Sequence, residues 1–177
     1  FVATEDQEIF DEVKKNGGQA IITSNEHKTG TDRIYEAIRK LDMKNIDLIM
    51  NLQGDEPLMD VEDIKNLNQR MINSNSDIGT LASKIREKKK YQDTNIVKVT
   101  TEKSLDESFF PSAVNFSRKA DQINTNIYHH LGIYCYRLKA LESFVSFDQS
   151  SNEIKEKLEQ LRALDNNIKI NVALAKS

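Results

Sequence analysis

One nearly continuous apolar run in the first third of the chain constrains the fold most. Residues 47–53 read Asp-Leu-Ile-Met-Asn-Leu-Gln and are followed directly by Gly54-Asp55-Glu56-Pro57. A short apolar run closed by Gly and Pro is typical of a buried central strand in a parallel sheet. In open α/β sheets ligands bind beyond the carboxyl ends of the strands. The sequence therefore predicts a candidate site just after residue 53.

Strand and helix patterns alternate through the first half of the chain, and strands become denser in the middle. We expect strands at 1–4, 20–22, 47–53, 78–85, 96–101, 113–116, 127–136 and 168–174. We expect helices from a capping box at Thr4 to a stop at Gly17-Gly18, then around 34–41, 61–72, 138–145 and 154–164. This order predicts an α/β fold with a mainly parallel sheet and an antiparallel excursion.

Composition narrows the class of protein. The chain has 177 residues, the length of one domain, and its 25 Lys and Arg against 28 Asp and Glu give a net charge of −3. This balance offers no bulk attraction for nucleic acid or an anionic membrane. No apolar stretch approaches the ~18 residues of a membrane span, and no secretory leader is visible. With Cys135 as the one cysteine, neither an internal disulfide nor a Cys₂ zinc site can form. We expect a soluble, cytoplasmic protein.

The segment that follows the apolar run is the first candidate site. A carboxylate such as Asp55 in the crevice would suit Mg²⁺, which binds one or two carboxylates together with substrate phosphates. The alternative is an ordinary Gly-Asp turn in which Asp55 caps the next helix.

A second candidate is the loop 28–33, Lys-Thr-Gly-Thr-Asp-Arg. A helix start favours anions, and the guanidinium of Arg33 can bind a carboxylate or a phosphate with two hydrogen bonds. The alternative is that Thr29 or Thr31 is a simple N-cap and that Arg33 lies on the surface.

A third set comes late in the chain. His130 could donate a hydrogen bond to a hydroxyl or an oxyanion, although a strand histidine is more often a satisfied core residue. Glu159 and Gln160 are adjacent on an expected helix, where they would point about 100° apart, so a pocket would use both only at a helix end. Glu87-Lys88-Lys89-Lys90 is interpreted as a solvated helix end.

Covalent catalysis has little support. The sequence contains no G-x-S-x-G motif, P-loop or G-x-G-x-x-G, and Cys135 lies inside an apolar strand, where a thiol is usually inert. Metal-assisted group transfer is the more consistent chemistry.

Seven short motifs, in order and over nearly the whole chain, resemble the 3-deoxy-manno-octulosonate cytidylyltransferases. They are Val2-Ala3-Thr4-Glu5-Asp6, His27-Lys28-Thr29-Gly30-Thr31-Asp32-Arg33, Asn51-Leu52-Gln53-Gly54-Asp55-Glu56-Pro57, Asn95-Ile96-Val97-Lys98-Val99, Phe116-Ser117-Arg118, His130-Leu131-Gly132-Ile133-Tyr134 and Leu158-Glu159-Gln160-Leu161-Arg162-Ala163-Leu164. Each motif alone is weak, but the set in this order is specific.

The resemblance implies an enzyme that joins CTP and the acidic sugar Kdo into CMP-Kdo and pyrophosphate for lipopolysaccharide assembly. It implies a three-layer, Rossmann-like nucleotide-diphospho-sugar-transferase fold and a homodimer built through the antiparallel middle strands. In this reading Asp55 ligates Mg²⁺ and, with Arg33, is catalytic. The sugar pocket is lined by Gln53, His130, Tyr134, Glu159 and Gln160, and the nucleotide lies near Thr29, Gly30 and Thr31.

Departures from the family pattern set further expectations. The family's phosphate loop would precede Phe1, and its second metal-binding Asp would follow Ser177, so we expect one domain over 1–177 that lacks both segments. After Phe116-Ser117-Arg118 the family continues with a Pro-Ile-Pro segment and a longer excursion, whereas this chain runs through Lys119-Ala120-Asp121-Gln122 to Ile127. Two alternatives stay open: a cytidylyltransferase for another acidic sugar such as a sialic acid, and a non-catalytic nucleotide- or sugar-binding module.

Overall fold

A computed structural model describes residues 1–43, 45–56, 58–120 and 126–176 of the chain. Two compact units are present, residues 1–46 and residues 47–177. Pro57 and the segment 121–125, where the sequence departs from the family pattern, lie outside the described residues.

The first unit is built from two strands and two helices. Strand β1 (Val2–Thr4) pairs in parallel with β2 (Ala20–Ile22), and helix α1 (Gln7–Lys15) connects them. Helix α2 (Gly30–Leu41) follows. The expected capping box at Thr4 is wrong, because the N-cap of α1 is Asp6, whose carboxylate accepts from the amides of Glu8 and Ile9.

The second unit contains a six-stranded mixed sheet, which confirms the predicted α/β class. Its strands are β3 (Leu48–Leu52), β4 (Ile78–Ser83), β5 (Lys98–Thr101), β6 (Ala113–Ser117), β7 (Ile127–Arg137) and β8 (Ile170–Leu174). Strand β7 pairs antiparallel with β3, β4 and β5, β5 pairs antiparallel with β6, and β4 pairs in parallel with β8. Four of these strands therefore run one way, and β6 and β7 run the other way.

Strand β3 was expected to have parallel neighbours, and its pairing in the described residues is antiparallel instead, with β7. The apolar composition of a strand reports that both of its faces are buried, and it does not report the direction of the neighbour. The direction depends on β7, which lies about 80 residues later in the sequence.

Helix α3 (Val61–Ile72) covers one face of the sheet and has the bounds that the sequence predicts. Its Leu67 and Met71 are fully buried, and a Cβ at Gly79 of β4 would lie 2.7 Å from the sulfur of Met71. Burial of each of these side chains is worth about 1.5–3 kcal/mol relative to exposure, so this contact is a main part of the core.

The opposite face carries a row of rings. Phe116 meets His130 edge to face at 5.1 Å between ring centroids, His130 lies 5.4 Å from Tyr134, and Tyr134 stacks on Tyr136 at 5.8 Å. All four side chains are buried. These β7 residues therefore belong to the core of the unit.

The single helix expected at 154–164 is wrong, because the segment forms two short helices. Helix α4 (Leu138–Ser146) precedes them, and α5 (Ser151–Glu156) ends where Lys157 takes a left-handed conformation with φ 55°. Helix α6 (Leu161–Asp165) begins four residues later. The charge run near residue 88 is an exposed 3-10 turn, Lys88–Tyr91, in which Glu87 pairs with lysines.

Candidate active site

The core of the candidate site lies where β3 ends. The side-chain amide of Gln53 donates to Glu159 Oε1 at 2.9 Å. The backbone amide of Gln53 donates to the Gly132 carbonyl at 3.4 Å, which prolongs the β3–β7 pairing by one step. A Cβ at Gly132 would lie 2.7 Å from Gln53 Oε1, so glycine at this position makes room for the Gln53 side chain.

An irregularity in β7 brings these residues together. The register of β4 against β7 shifts between Thr80 and Leu81, so that β7 has two extra residues, Gly132 and Ile133, at this step. Such bulges are frequent next to active sites because they redirect side chains. The Thr80 hydroxyl donates to the Ile133 carbonyl at 2.6 Å, so this carbonyl has a hydrogen-bond partner although the strand pairing is irregular there.

Glu159 sits in the short connection between α5 and α6, with Gln160 as the residue before α6. The pocket can therefore use both residues, because they lie at a helix start and not within one helix. Gln160 is buried, with 5% of its surface exposed, and Glu159 is partly buried.

Two motifs with no role assigned from sequence hold this connection in place. Arg118 donates to the carbonyls of Glu156 and Lys157, at 3.0 and 3.2 Å. Lys98 is 1% exposed, and its ammonium donates to the carbonyls of Ile96 and Arg118 at 2.8 and 2.9 Å and to a third carbonyl nearby. Burial lowers the pKa of Lys98, and the three carbonyl acceptors satisfy all its donors.

A buried ion pair fixes α5 against α6. Arg162 Nε and Nη2 donate to the two carboxylate oxygens of Glu153, at 2.9 and 2.7 Å, and both side chains are 2% exposed. The Arg162 guanidinium also lies 4.5 Å above the ring of Phe144. Glu153 completes a capping box with Ser150, so one carboxylate both starts α5 and holds α6.

Tyr134 lies close to the acidic groups of this site. Burial raises the pKa of Tyr134 well above its usual range, and the negative charges of Glu159 and Asp55 raise it further. Tyr134 therefore stays a neutral phenol that can donate or accept a hydrogen bond. Asp55 itself is exposed, in the turn after Gln53.

The hydrogen-bond network assigns the tautomer of His130. The Thr80 hydroxyl has one hydrogen, which it gives to the Ile133 carbonyl, so His130 Nε2 at 3.0 Å must be the donor to Thr80 Oγ1. Burial lowers the pKa of His130 to about 3. His130 is consequently a neutral imidazole whose Nε2 donates to the Thr80 hydroxyl and whose Nδ1 is an acceptor.

The residues expected near the nucleotide lie in the first unit. Thr29 is the N-cap of α2: its Oγ1 accepts from the Asp32 amide at 3.2 Å and donates to the Asp32 carboxylate at 2.7 Å. Gly30 starts the helix and Thr31 is fully buried.

Arg33 donates to Thr23 Oγ1 at 2.6 Å and pairs with Glu5. The Arg33 side chain is 20% exposed, so the structure holds the guanidinium in place within the unit.

Glu36 orders the loop that leads to Thr29. It pairs with Lys40 at 2.5 Å, accepts from the Ser24 amide at 3.0 Å and contacts His27. These hydrogen bonds, the Lys40 bond first, hold the pKa of Glu36 at about 2. Glu36 is therefore a carboxylate at any ordinary pH and anchors both ends of the loop.

The carboxylates near Gln53 do not form a complete binding site for a divalent cation such as Mg²⁺. Among the described residues, no group of three or more His, Cys, Asp or Glu side chains converges as a metal cage. A single exposed carboxylate such as Asp55 fits Mg²⁺ when substrate oxygens supply most of the ligands. The alternative in which Asp55 caps the next helix is wrong, because Asp60 is the N-cap of α3.

Sequence reasoning missed several residues of this site. Thr80 lies in none of the motifs, and Asn51 and Gly132 lie in motifs without an assigned role, although Asn51 is a polar residue inside an apolar strand, which is a readable signal. The roles of Lys98 and Arg118 depend on backbone carbonyls brought together by the fold, and no local sequence pattern predicts those contacts.

Comparison with known proteins defines the class first. The sequence model of the family described as Cytidylyltransferase matches residues 1–170. The fold is also that of a mannose-1-phosphate geranyltransferase from Thermus thermophilus, with a TM-score of 0.67 at 10% identity, over 97% of this chain and 57% of that one.

Closer relatives carry a more particular name. A 3-deoxy-manno-octulosonate cytidylyltransferase of Thermodesulfovibrio yellowstonii is 44% identical over 98% of this chain and 72% of its own length. The protein of the same name from Bartonella tribocorum is 41% identical with the same coverage. A solved CMP:2-keto-3-deoxy-manno-octonic acid synthetase complexed with CTP has a TM-score of 0.85 at 32% identity, over 98% of this chain and 70% of that one. The chain belongs to the cytidylyltransferase family, among the 3-deoxy-manno-octulosonate cytidylyltransferases.

No helix in the described ranges is long and apolar enough to cross a bilayer.

Proposed function

We propose that the protein transfers CMP from CTP to Kdo, giving CMP-Kdo and pyrophosphate in the cytoplasm. The observation that carries this proposal is the 44% identity to a 3-deoxy-manno-octulosonate cytidylyltransferase over 98% of the chain. The likeness to a synthetase complexed with CTP supports the choice of nucleotide.

The reaction is a single displacement at phosphorus. The oxygen of the sugar's anomeric hydroxyl forms a bond to the α-phosphorus of CTP and loses its proton. The bond between the α-phosphorus and the bridging oxygen breaks, and pyrophosphate leaves with the electron pair. Catalysis of such a step consists mainly of alignment and charge stabilisation.

Several side chains of the second unit suit a polyhydroxy acid. Glu159 accepts and Gln53 can both donate and accept, and their mutual hydrogen bond at 2.9 Å prepositions both groups. The neutral Nδ1 of His130 and the phenol of Tyr134 extend the set of partners for sugar hydroxyls. Gln160, at the start of α6, completes the group that we assign to the sugar.

In the first unit, we assign Arg33 to the sugar carboxylate and the segment Thr29-Gly30-Thr31 to the nucleotide. The support is chemical: a guanidinium binds carboxylate with two parallel hydrogen bonds, and the first turn of a helix favours anionic oxygens. Thr23 and Glu5 hold the guanidinium of Arg33 ready in one orientation.

We assign Asp55 as the protein's carboxylate ligand to Mg²⁺. When bound, Mg²⁺ would offset the negative charge that develops on the phosphate oxygens. Asp55 is exposed and therefore accessible to a hydrated cation.

We also propose that the enzyme is a homodimer built through the middle strands. Val114 of β6 is 61% exposed, which supports an apolar contact on this strand. Sedimentation of a monomer at assay concentration would contradict the dimer.

The test is pyrophosphate release from CTP by the full-length protein, with Kdo or N-acetylneuraminic acid as the acceptor and with Mg²⁺ present. We expect release with Kdo. We also expect an Asp55→Asn variant to fold normally and to be at least about 100-fold slower, which is the usual loss of rate when one group that stabilises transition-state charge is removed. Release with the sialic acid alone would favour the other acidic-sugar enzyme. No release with either sugar would favour a binding module, and unchanged turnover of Asp55→Asn at saturating Mg²⁺ would reject the metal assignment.

A further inference from the structure

One polar group in the second unit is buried without a partner in the part of the chain that the structure describes. The Nδ2 of Asn51, on β3, makes no hydrogen bond, and the residue is 5% exposed. Buried amide donors are almost always hydrogen-bonded in folded proteins, because desolvation of a donor without a partner is costly. An orphan of this kind calls for an explanation, and a bound oxygen atom of a ligand is one that fits its position.

The position of Asn51 places it in the candidate site. Asn51 is the direct antiparallel partner of Tyr134, so the two side chains lie on the same face of the sheet. Gln53 follows two residues later, on the face that Asn51 shares by strand alternation. That face also carries His130 and leads to Glu159 through the Gln53 hydrogen bond.

The surroundings limit what the amide can bind. On this face Tyr134 lies directly opposite Asn51 and stacks on Tyr136, and Gln53, which pairs with Glu159, follows two residues later in the chain. An N–H donor in such a setting is suited to a hydroxyl or carboxylate oxygen of a sugar acid, since the neighbouring side chains also pair with oxygen atoms.

We propose that the Asn51 amide donates a hydrogen bond to an oxygen of the acidic sugar, as a substrate-binding residue additional to those expected from sequence. This inference rests on the proposed function, because it takes the sugar of that reaction as its ligand. In the free protein the buried Asn51 amide has no hydrogen-bond partner, and its desolvation is unfavourable. A sugar oxygen would supply that partner, so the amide would stabilise the complex relative to the free protein.

The test compares two strand asparagines in the full-length protein. Asn171 of β8 is the matched control, because its Nδ2 donates to the Phe110 carbonyl at 2.6 Å and so has a partner within the fold. Each residue is changed to Leu and, as a smaller variant, to Ala. For every protein, the free energy of unfolding in urea and the KM values for Kdo and CTP are measured.

We expect Asn51→Leu to be at least as stable as the wild type, because it removes an unsatisfied buried donor. Its KM for Kdo should rise at least about 10-fold, and its KM for CTP should change less than about 2-fold. For Asn51→Ala, the KM for Kdo should likewise rise and the KM for CTP should stay nearly unchanged. Asn171→Leu and Asn171→Ala should lose stability and keep both KM values.

Three results would overturn the inference. An unchanged KM for Kdo in both Asn51 variants would show that the amide does not contact the sugar. A selective rise in KM for CTP would assign it to the nucleotide instead. A stability loss in both Asn51 variants that matches the Asn171 variants would show that the amide has a partner within the protein. A wild-type protein without turnover on Kdo would instead reject the proposed function itself.

Discussion

At the scale of single residues, the site depends on small differences in space and protonation. A Cβ at Gly132 would displace the end of the Gln53 side chain, and His130 is neutral because burial lowers its pKa. Neither property is visible in the sequence, where Gly132 and His130 are simply part of an apolar strand.

Gly132→Ala should disturb the sugar pocket without unfolding the protein. The new Cβ would lie 2.7 Å from Gln53 Oε1, so the Gln53 side chain must move and its bond to Glu159 should weaken. We expect the KM for Kdo to rise about 10-fold, as for loss of one hydrogen bond. Gly54→Ala is the control, since a Cβ there meets nothing within 4 Å. Equal kinetics for both variants would contradict this role of Gly132.

His130 should make the folded state sensitive to acid. The pKa of its side chain is about 3 in the folded protein against an ordinary value of 6.5, so below pH 6.5 the unfolded chain binds a proton that the folded chain does not. The contribution of His130 is complete above pH 6.5 and should fall by up to about 1.4 kcal/mol per pH unit as the pH drops toward 3.

His130→Gln keeps a donor for Thr80 and removes the titration. Urea unfolding from about pH 7 to about pH 4 should therefore show a shallower loss of stability in this variant than in the wild type. Parallel curves for the two proteins would contradict the buried, neutral histidine.

At the scale of elements, the connection between α5 and α6 carries the functional residues, and a buried ion pair maintains it. Removing one partner of a buried pair leaves an uncompensated charge, which costs about 3–5 kcal/mol. Arg162→Met should therefore lower the free energy of unfolding by about this amount and also weaken Kdo binding, because Glu159 loses its support.

The exposed pair of Glu62 and Lys65 serves as the control. These side chains are 69% and 67% exposed, so Lys65→Met should leave the free energy of unfolding nearly unchanged. Equal destabilisation by the two variants in urea unfolding would contradict the assignment of Glu153 and Arg162 as the main anchor.

Among the helices and strands, some bounds are predictable from the sequence and others are not. The sequence predicts the bounds of α3 correctly, and the structure adds Asp60 as its N-cap. The break after α5 was not predicted, because Lys157 adopts a left-handed conformation for which no glycine or asparagine gives a signal. The direction of the strand beside β3 was also missed, since pairing across about 80 residues of sequence is a tertiary property.

The site shows the same division between local and tertiary information. The motif around Gln53 and the pair Glu159-Gln160 were recognisable as a set, and the structure joins Gln53 to Glu159 directly. The supporting contacts of Lys98 and Arg118 were not predictable, because they depend on backbone carbonyls that the fold brings together, from Arg118 for Lys98 and from Glu156 for Arg118.

At the scale of the whole molecule, the family assignment connects these contacts to a reaction. The chain aligns over 98% of its length with relatives of which it spans 72%. The residues assigned to the nucleotide and those assigned to most of the sugar pocket lie in different compact units, residues 1–46 and 47–177.

The most direct test of the central claim is phosphorus NMR of the full-length protein with CTP, Kdo and Mg²⁺. We predict a new phosphodiester resonance from CMP-Kdo that grows in equal amount with pyrophosphate, and neither signal when Kdo is omitted. CTP that remains unchanged, or pyrophosphate that appears together with free CMP whether or not Kdo is present, would contradict the proposed transfer.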